Sequence, residues 1–406
     1  MSTNVLDVQT TDCCIVGGGP AGAVLAFLLA RQGISVMLLE AHKDFDRDFR
    51  GDTIHPSVME IMDELGLAES LLKLPHTKLR TITVVTPESS VTLADFSCLN
   101  TRYPYITMMP QVQFLEFITQ EAKRYPSFQL VMGANVQELI EEDGKICGVR
   151  YRGHGCWHEV RAGLTVGADG RHSRIRQLAS FYPVETSPPM DVLWFRLPRK
   201  LEDPEGGMGR IGRGHLLVML ERGEYWQVAY VFSKGGYQQL RTAGLEALRQ
   251  SIIEVVPELS DRVQYLYDWS CIAFLSVESS RLRCWFRSGL LLIGDAAHVM
   301  SPVGGVGINY AIQDAVVAAN VLSKQLLAGK VQLSDLAAVQ RQREWPTRLV
   351  QAFQSLVQKQ VIARALKPQQ PFKLPLLLRL PILRDLPARL IAFGVSPVHV
   401  KSRICK

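Results

Sequence analysis

The sequence predicts an α/β fold, and three features of its apolar runs and glycines support that prediction. The chain begins with a β-α-β unit in which a glycine-rich turn separates the first strand from the helix. Its middle part, from about 181 to 274, changes to strand-like runs between glycine-rich turns. A short apolar strand then leads through another glycine-rich loop into a long helix. Helical crossovers belong to parallel sheets and short turns to antiparallel ones, so both kinds of sheet are expected.

The first unit contains a nucleotide-binding pattern. Residues 13–16 and 34–39 are predicted strands, and the helix between them is closed by Gly33. Gly17, Gly19 and Gly22 have the spacing G-x-G-x-x-G, with Pro20 and Ala21 completing the turn. These glycines permit a tight turn, a close approach to a pyrophosphate and close packing of helix on strand. Glu40 ends the second strand, where an acid accepts hydrogen bonds from ribose. This context predicts a Rossmann-type dinucleotide site but does not distinguish FAD from NAD.

The remaining elements follow from periodicity and turn residues. The helical pattern predicts helices within 50–67, 111–124 and 308–327, and the alternating pattern predicts strands within 79–96, a meander over 136–160 with a turn at Asp143-Gly144, and strands at 164–168, 192–197, 216–220, 226–232 and 290–293.

Composition excludes several classes of protein. The chain has 406 residues, 47% hydrophobic and 21% charged, which is typical of a globular protein with two or three domains. Its net charge of +6 includes no long basic run, so nucleic-acid binding is not expected. The eight cysteines have neither disulfide nor zinc-ligand spacing, and no metal is expected. The start resembles no signal peptide, and no eighteen apolar residues run together. We therefore expect a cytoplasmic protein.

Two later motifs indicate which dinucleotide the first motif binds. The second is Gly-Ala-Asp-Gly-Arg-His-Ser-Arg-Ile-Arg at 167–176. The third is Gly-Asp-Ala-Ala-His at 294–298, which continues to Pro-Val-Gly-Gly-Val-Gly-Ile-Asn at 302–309. With all three motifs in this order, the sequence resembles the class A FAD-dependent monooxygenases, the aromatic hydroxylases typified by para-hydroxybenzoate hydroxylase. The resemblance covers roughly residues 10 to 340.

The resemblance implies roles for individual residues. Asp295 matches the aspartate that hydrogen-bonds the ribityl chain of FAD, and Asp169 matches the one that braces the pyrophosphate region and is linked to NAD(P)H use. Arg50 and Gln111 lie near family contacts to FAD, although a surface arginine and a helix-start glutamine are open alternatives. The complete set of residues expected at the cofactor is Gly17, Gly19, Pro20, Ala21, Gly22, Glu40, Arg50, Gln111, Asp169, Gly294, Asp295, Pro302, Gly304, Gly305, Gly307, Ile308 and Asn309.

The loop 302–309 is expected to face the flavin ring. Reduced flavin is an anion, and glycines at 304, 305 and 307 let backbone N–H groups approach its charged edge. The helix that follows points its positive end at the same place. His298 is expected to be a structural residue of the motif rather than a base.

The family reaction is implied by the same resemblance. Non-covalent FAD would be reduced by NADPH or NADH and would react with O2 to a C4a-hydroperoxide, which hydroxylates or epoxidises an aromatic or lipophilic substrate. Arg196, Trp226 and Tyr230 are candidates to contact that substrate. Other candidates for the substrate pocket are Trp194, Phe195, Phe232 and His215. For all of these a plain core or surface role is the alternative, and the sequence identifies no catalytic base.

Related flavoprotein activities differ from one another in their motifs. Flavin halogenases carry a Trp-x-Trp-x-Ile-Pro motif and an active-site lysine, and neither is present. Baeyer–Villiger enzymes carry a second glycine fingerprint, whereas this chain has one. A reductase of the geranylgeranyl reductase type stays open as an alternative, as does a non-catalytic flavin-binding protein.

The end of the chain is basic and apolar. From Lys359 onward it has ten Lys or Arg and one acid, Asp385, interrupted by prolines that forbid one long helix. A tail packed over the protein and a peripheral contact with an anionic membrane are both possible. The predicted architecture is a Rossmann-type FAD-binding domain (1–78, 98–180 and 275–357), an inserted antiparallel β-rich substrate domain (79–97 and 181–274) and a helical C-terminal extension (358–406).

Overall fold

The chain folds into strands and helices, in a computed structural model that describes residues 5–46, 52–86, 89–212, 214–367 and 385–401. The strands are β1 (Val5–Val16), β2 (Val36–Glu40), β3 (Thr53–Ile54), β4 (Thr77–Leu79), β5 (Thr81–Val85), β6 (Ser90–Asp95), β7 (Ile106–Met108), β8 (Phe128–Met132), β9 (Asn135–Glu142), β10 (Lys145–Gly153), β11 (Cys156–Gly167), β12 (Val184–Thr186), β13 (Met190–Pro198), β14 (Gly207–Gly212), β15 (His215–Glu221), β16 (Tyr225–Ser233), β17 (Ala273–Leu275), β18 (Ser279–Arg281), β19 (Phe286–Arg287), β20 (Leu290–Leu292) and β21 (His298–Val299). The helices are α1 (Pro20–Ala30), α2 (Pro56–Glu64), α3 (Ala68–Leu71), α4 (Gln111–Ala122), α5 (Arg174–Leu178), α6 (Tyr237–Val255), α7 (Gly307–Leu327), α8 (Leu333–Val357), α9 (Ala363–Ala365) and α10 (Asp385–Phe393).

The largest sheet has a parallel centre. Its strand order is β19-β20-β11-β1-β2-β8, and β1 pairs in parallel with both β11 and β2. Every residue of β2 is buried, as expected for a strand covered on both faces. Helix α1 packs against α4 and α7 on one side of this sheet. The predicted α/β fold is therefore confirmed.

The meander predicted over 136–160 lies at one end of the same sheet. Strands β9, β10 and β11 pair antiparallel, and the turn between the first two contains Asp143 and Gly144, both with positive φ. Strand β11 also pairs in parallel with β1 along almost its whole length, and its last three residues pair in parallel with β20. One long strand thus joins the meander to the parallel centre.

A second sheet of seven strands has the order β17-β13-β16-β15-β14-β5-β6. It collects the strands predicted on both sides of the segment 98–180, because β5 pairs in parallel with β14. The sequence did not predict α6, which packs Leu248 and Ile252 against one face of this sheet. The domain boundaries themselves, including those of an inserted substrate domain, stay predictions.

The described residues also form two small sheets of three strands each. One has the order β3-β7-β4 and the other β12-β18-β21. Strands β12 and β18 pair antiparallel where the chain enters and leaves the main run of the seven-stranded sheet. The loop that follows β21 is therefore held next to this crossing.

The described part of the predicted C-terminal extension is partly helical. Helix α10 packs on β6 and α2, with Ala388 and Ala392 fully buried. His399 and Val400 bind the Glu64 carboxylate at the end of α2. Residues 368–384 and 402–406, which contain much of the basic and apolar tail, lie outside the described residues. Within the described ranges, no helix is long and apolar enough to span a membrane.

Candidate functional site

The first glycine motif forms a tight turn between β1 and α1. Gly17 has a φ of +103°, and a Cβ on it would lie 2.5 Å from the Ala168 carbonyl oxygen. A Cβ on Gly22 would lie 1.9 Å from the Gly17 carbonyl oxygen, so α1 packs too close to the turn for a side chain. By contrast, a Cβ on Gly19 would meet no atom of the described residues within 4 Å. No side chain caps α1 at Gly19, so the free N–H groups that follow Pro20 at this helix end suit a pyrophosphate.

Glu40 lies directly behind that turn. Its side chain is buried at the end of β2, where Oε2 accepts a hydrogen bond of 2.7 Å from the Gly18 N–H. Oε1 accepts the His42 N–H at 2.9 Å. The His42 ring nitrogen Nδ1 also lies 2.8 Å from Oε1, so these contacts orient the Glu40 carboxylate at the turn. This location suits the ribose contact expected of Glu40, which stays a prediction.

Asp169 of the second motif braces a helix start. Its carboxylate accepts hydrogen bonds from Ser173 Oγ at 2.5 Å and from the Ile175 N–H at 3.0 Å. Burial raises the pKa of Asp169, and these hydrogen bonds oppose that effect. The residue lies next to Gly17, since the Ala168 carbonyl contacts that glycine. Its expected influence on the pyrophosphate region would therefore act through the turn.

Asp314 on α7 holds the turn of the third motif. Its carboxylate accepts hydrogen bonds from the Gly294 N–H at 3.0 Å, from His298 Nε2 at 2.6 Å and from Arg343 Nε at 2.8 Å. Burial raises the pKa of Asp314, but His298 and Arg343 outweigh burial and keep it below its ordinary value. His298 is thus tied to a buried carboxylate, which favours its interpretation as a structural residue. The sequence motifs did not indicate Asp314 or Arg343.

Asp295 has a carboxylate to which no described residue donates a hydrogen bond. Burial raises its pKa, while the charges of Arg171 and His298 oppose that effect. The Asp295 backbone is fixed by Arg176, whose guanidinium donates to the carbonyl oxygens of Asp295 at 3.4 Å and Ala296 at 3.1 Å. Arg176, whose role the sequence did not indicate, therefore joins the second motif to the third. A half-buried acid held in this way fits a ribityl hydroxyl.

The loop 302–309 has the backbone shape that its glycines permit. Gly304 and Gly305 have φ values of +79° and +64°. The Gly305 carbonyl accepts a hydrogen bond of 2.9 Å from Thr53 Oγ1, and Asn309 Oδ1 accepts the His55 N–H at 2.9 Å. Around a Cβ built on Gly307, at the first turn of α7, no described atom lies within 4 Å. The start of α7 is therefore open to a ligand, while β3 holds the loop from behind.

The two residues with loose family matches have different outcomes. Arg50 lies outside the described residues. Gln111 is the first residue of α4, and its N–H donates to Asp52 Oδ1 at 3.2 Å. The other oxygen of Asp52 pairs at 3.3 Å with Arg222, a buried arginine from the turn between β15 and β16. This ion pair connects the seven-stranded sheet to Asp52, next to the start of α4. The sequence did not indicate it.

The predicted substrate residues do not come together at the loop. Trp226 donates to Asp203 at 2.9 Å, and the Tyr230 hydroxyl lies 2.8 Å from both His215 Nδ1 and Ser251 Oγ. Both rings belong to the cluster covered by α6, together with Phe195 and Phe232. Arg196 is exposed, with its guanidinium 5.0 Å from the centre of the Tyr225 ring. This geometry favours core and surface roles for them.

The opposite face of the seven-stranded sheet meets the loop instead. Val192, Ala229 and Val231 belong to a buried apolar cluster there, which also includes Ile362 and Leu366 from the segment after α8. Trp194 and Val303 pack against this cluster. Alternate residues of a strand point to opposite faces, which explains why Trp194 and Phe195 separate. Trp194 is therefore the aromatic candidate that this geometry favours.

These features define a flavoprotein that holds FAD on a Rossmann-type unit, next to an apolar sheet face. Residues 10–352 match a family model described as an FAD binding domain, and the chain belongs to that family. It is 33% identical to 6-methylpretetramide 4-monooxygenase of Streptomyces rimosus, over 98% of this chain and 95% of that protein. It is 26% identical to pentachlorophenol 4-monooxygenase of Sphingobium chlorophenolicum, over 74% of this chain and 56% of that protein.

The fold is also found among solved structures. The crystal structure of Pseudomonas aeruginosa PqsL in complex with 2-aminobenzoylacetate has a TM-score of 0.77 and 20% identity, covering 88% of this chain and 98% of that one. The class that the three motifs predicted is therefore confirmed: the chain is an FAD-dependent monooxygenase of the aromatic hydroxylase class. The alternatives of a reductase and of a non-catalytic flavin protein are not favoured.

Proposed function

We propose that the chain hydroxylates an aromatic ring that carries a hydroxyl group. The proposed site lies between the loop 302–309 and the face of the seven-stranded sheet that is opposite to α6. The observation that supports this most is the contact of Val303, inside the glycine loop, with the apolar cluster of Val192, Ala229 and Val231. An apolar wall next to the cofactor loop is what a planar, water-excluding substrate site needs.

Each motif has a part in holding FAD in this proposal. The open start of α1 at Gly19 takes the pyrophosphate, Glu40 accepts from the adenosine ribose, and Asp295 accepts from the ribityl chain. The N–H groups after Gly304 and the positive end of α7 would stabilise negative charge on a flavin ring held at this loop. A carboxylate that accepts from no donor among the described residues and two open glycine positions are the features that fit the cofactor.

The protein's own contribution to the chemistry is to bind, orient and exclude water. When bound, FAD would supply the redox chemistry between NADPH or NADH and O2 that oxygenates an electron-rich carbon. Val303, Trp194 and the cluster around Ala229 exclude water from the ring and from the substrate. NAD(P)H is proposed to dock transiently near Asp169 and Arg171.

The substrate class comes from the relatives, and the membrane contact from the tail. One relative is named for 6-methylpretetramide and one for pentachlorophenol, so compounds of these two kinds are the first to test. Peripheral membrane contact stays a proposal for the basic tail. The part of the tail that is described packs on the protein, through Ala388 and Ala392.

The experiment is a measurement of NADPH and NADH oxidation by the purified FAD-loaded protein, with and without 6-methylpretetramide or pentachlorophenol. An aromatic substrate should raise the rate at least tenfold, which corresponds to about 1.4 kcal/mol of barrier. A benzene ring without the hydroxyl group is the matched control and should give no rise. Equal rates with both rings would refute the proposed substrate class.

A further inference from the structure

His55 lies at the loop 302–309, although none of the three motifs contains it. It occupies the position between β3 and α2 and is completely buried. Its backbone N–H donates to Asn309, and its ring nitrogen Nε2 would lie 3.6 Å from a Cβ on Gly305. The ring therefore reaches the backbone of the glycine loop from the side of β3.

The hydrogen bonding of His55 determines which nitrogen is protonated. Nδ1 lies 2.7 Å from the Ile391 carbonyl oxygen, and a carbonyl oxygen only accepts, so Nδ1 carries the hydrogen. Burial lowers the pKa of His55 to about 4, and the hydrogen bond to the Ile391 carbonyl opposes that effect. At neutral pH Nε2 is consequently an acceptor. It is buried and has no partner among the described residues.

Ile391 belongs to α10, near the end of the chain. Its side chain would contact a Cβ on Gly304 at 3.6 Å, so α10 also touches the loop directly. Ala388 and Ala392 anchor the helix in a cluster with Phe96 and Met108. Thus the C-terminal segment forms a wall of the flavin site and supplies the carbonyl that orients His55.

We propose that His55 Nε2 accepts a hydrogen bond from the molecule bound at Gly305, and that α10 fixes the tautomer that makes it an acceptor. A buried acceptor without a donor is unfavourable, so the position calls for an N–H or O–H group of the ligand. Oxidised flavin has one ring N–H, in its imide, and a hydroxylated aromatic substrate has an O–H. The proposal rests on the proposed function for the presence of FAD and that substrate class.

The chain allows a matched pair of substitutions. In His55→Asn the side-chain amide can reach Ile391 as Nδ1 does, but the acceptor at the Nε2 position is lost. In His55→Gln the amide oxygen replaces that acceptor, whereas the contact with Ile391 is lost. If His55 had only a structural role, His55→Gln would not behave more like the wild type than His55→Asn does.

The first measurement is a spectral pH titration of the bound flavin imide, without substrate. An acceptor at the imide stabilises its N–H, so His55→Asn should raise the acid ionisation constant of the imide at least threefold, and His55→Gln should restore it. The second measurement is the same comparison for bound 4-nitrophenol, whose phenolate is visible. A change confined to 4-nitrophenol assigns the donor to the substrate, and a change in the flavin assigns it to the cofactor.

The part played by α10 is tested in the full-length chain. Ala392→Arg should displace the helix. It should then shift the same ionisation, of the flavin imide or of 4-nitrophenol, that His55→Asn shifts. Substitution of the exposed Arg389 by Ala should leave that ionisation unchanged. If Ala392→Arg titrates like the wild type while its α10 is shown to be displaced by proteolysis, the role of α10 is refuted.

FAD content separates the possible failures. A wild-type protein that binds no FAD overturns the proposed function, whereas FAD-loaded variants that all titrate like the wild type overturn only the role of His55. Loss of FAD in His55→Asn with retention in His55→Gln supports the acceptor. Loss in both variants makes His55 a structural residue and refutes the proposal.

Discussion

Asp314 allows the energetics of the third motif to be tested. Its side chain is fully buried and pairs at 2.8 Å with Arg343, whose side chain is 1% exposed. The two terminal nitrogens of Arg343 have no hydrogen-bond partner among the described residues. Asp314→Asn therefore leaves a buried guanidinium without a countercharge, which typically costs about 3–5 kcal/mol. Because Asp314 also holds the Gly294 N–H, the variant should release FAD more easily.

The assay is urea-induced unfolding of the FAD-loaded protein, followed by tryptophan fluorescence and by flavin release. The matched control is Glu246→Gln, which breaks an ion pair with Arg249 in which Glu246 is 81% exposed and should cost about 0–1 kcal/mol. Since the folded pKa of Asp314 is lowered, its contribution is present above the ordinary aspartate pKa and is lost as pH falls through the folded value. Equal destabilisation by Asp314→Asn and Glu246→Gln would refute this account of the network.

Three further predictions follow from the site and the tail. Asp295→Ala should weaken FAD binding by about 1.5–3 kcal/mol, because a ribityl hydroxyl loses a charged acceptor, and an unchanged dissociation constant in a FAD titration would contradict this. Trp226→Ala should destabilise the chain by about 3–5 kcal/mol in urea unfolding. Trp194→Ala should instead mainly raise the KM for substrate. The reverse pattern would place the substrate on the side of the sheet that α6 covers. If the tail contacts membrane, truncation after Lys367 should abolish binding to anionic liposomes in a sedimentation assay. Binding of the intact protein should weaken at high salt. Failure of the intact protein to bind would refute that contact.

The glycine motif could be predicted because its constraints are local. Gly17 and Gly22 are required by backbone atoms a few ångströms away, and their spacing reports that directly. Glu40 follows at the end of the next strand, where it contacts the same turn. The fold class followed as well, since long apolar strands and their helices are the strongest signals in a sequence.

The sheet face of the aromatic residues could not be read from the sequence. Trp194 and Phe195 are neighbours in β13, and the alternation shows that they face opposite sides without showing which side meets the loop. That depends on α6, which covers Trp226 and Tyr230 and whose pattern was hidden by the strand-rich composition around it. The predictions for Trp226 and Tyr230 as substrate contacts therefore lack geometric support.

Distant polar partners were missed for a different reason. Asp314 and Arg343 lie on separate helices, where charged residues are ordinarily solvated, and only the packing of α7 on α8 shows that they are buried together. His55 and Ile391 are 336 residues apart. Contacts of this range have no periodic or motif signal, so the tertiary structure is needed to find them.

The origin of the oxygen atom tests the central claim most directly. Purified protein loaded with FAD is given NADPH, an aromatic substrate that stimulates its oxidation, and 18O2, and the product is analysed by mass spectrometry. A monooxygenase should place one 18O atom in the product and none from H2(18)O in the reverse labelling, with no product formed when O2 is excluded. A product that forms equally well without O2, or that contains no oxygen from 18O2, would contradict the assignment.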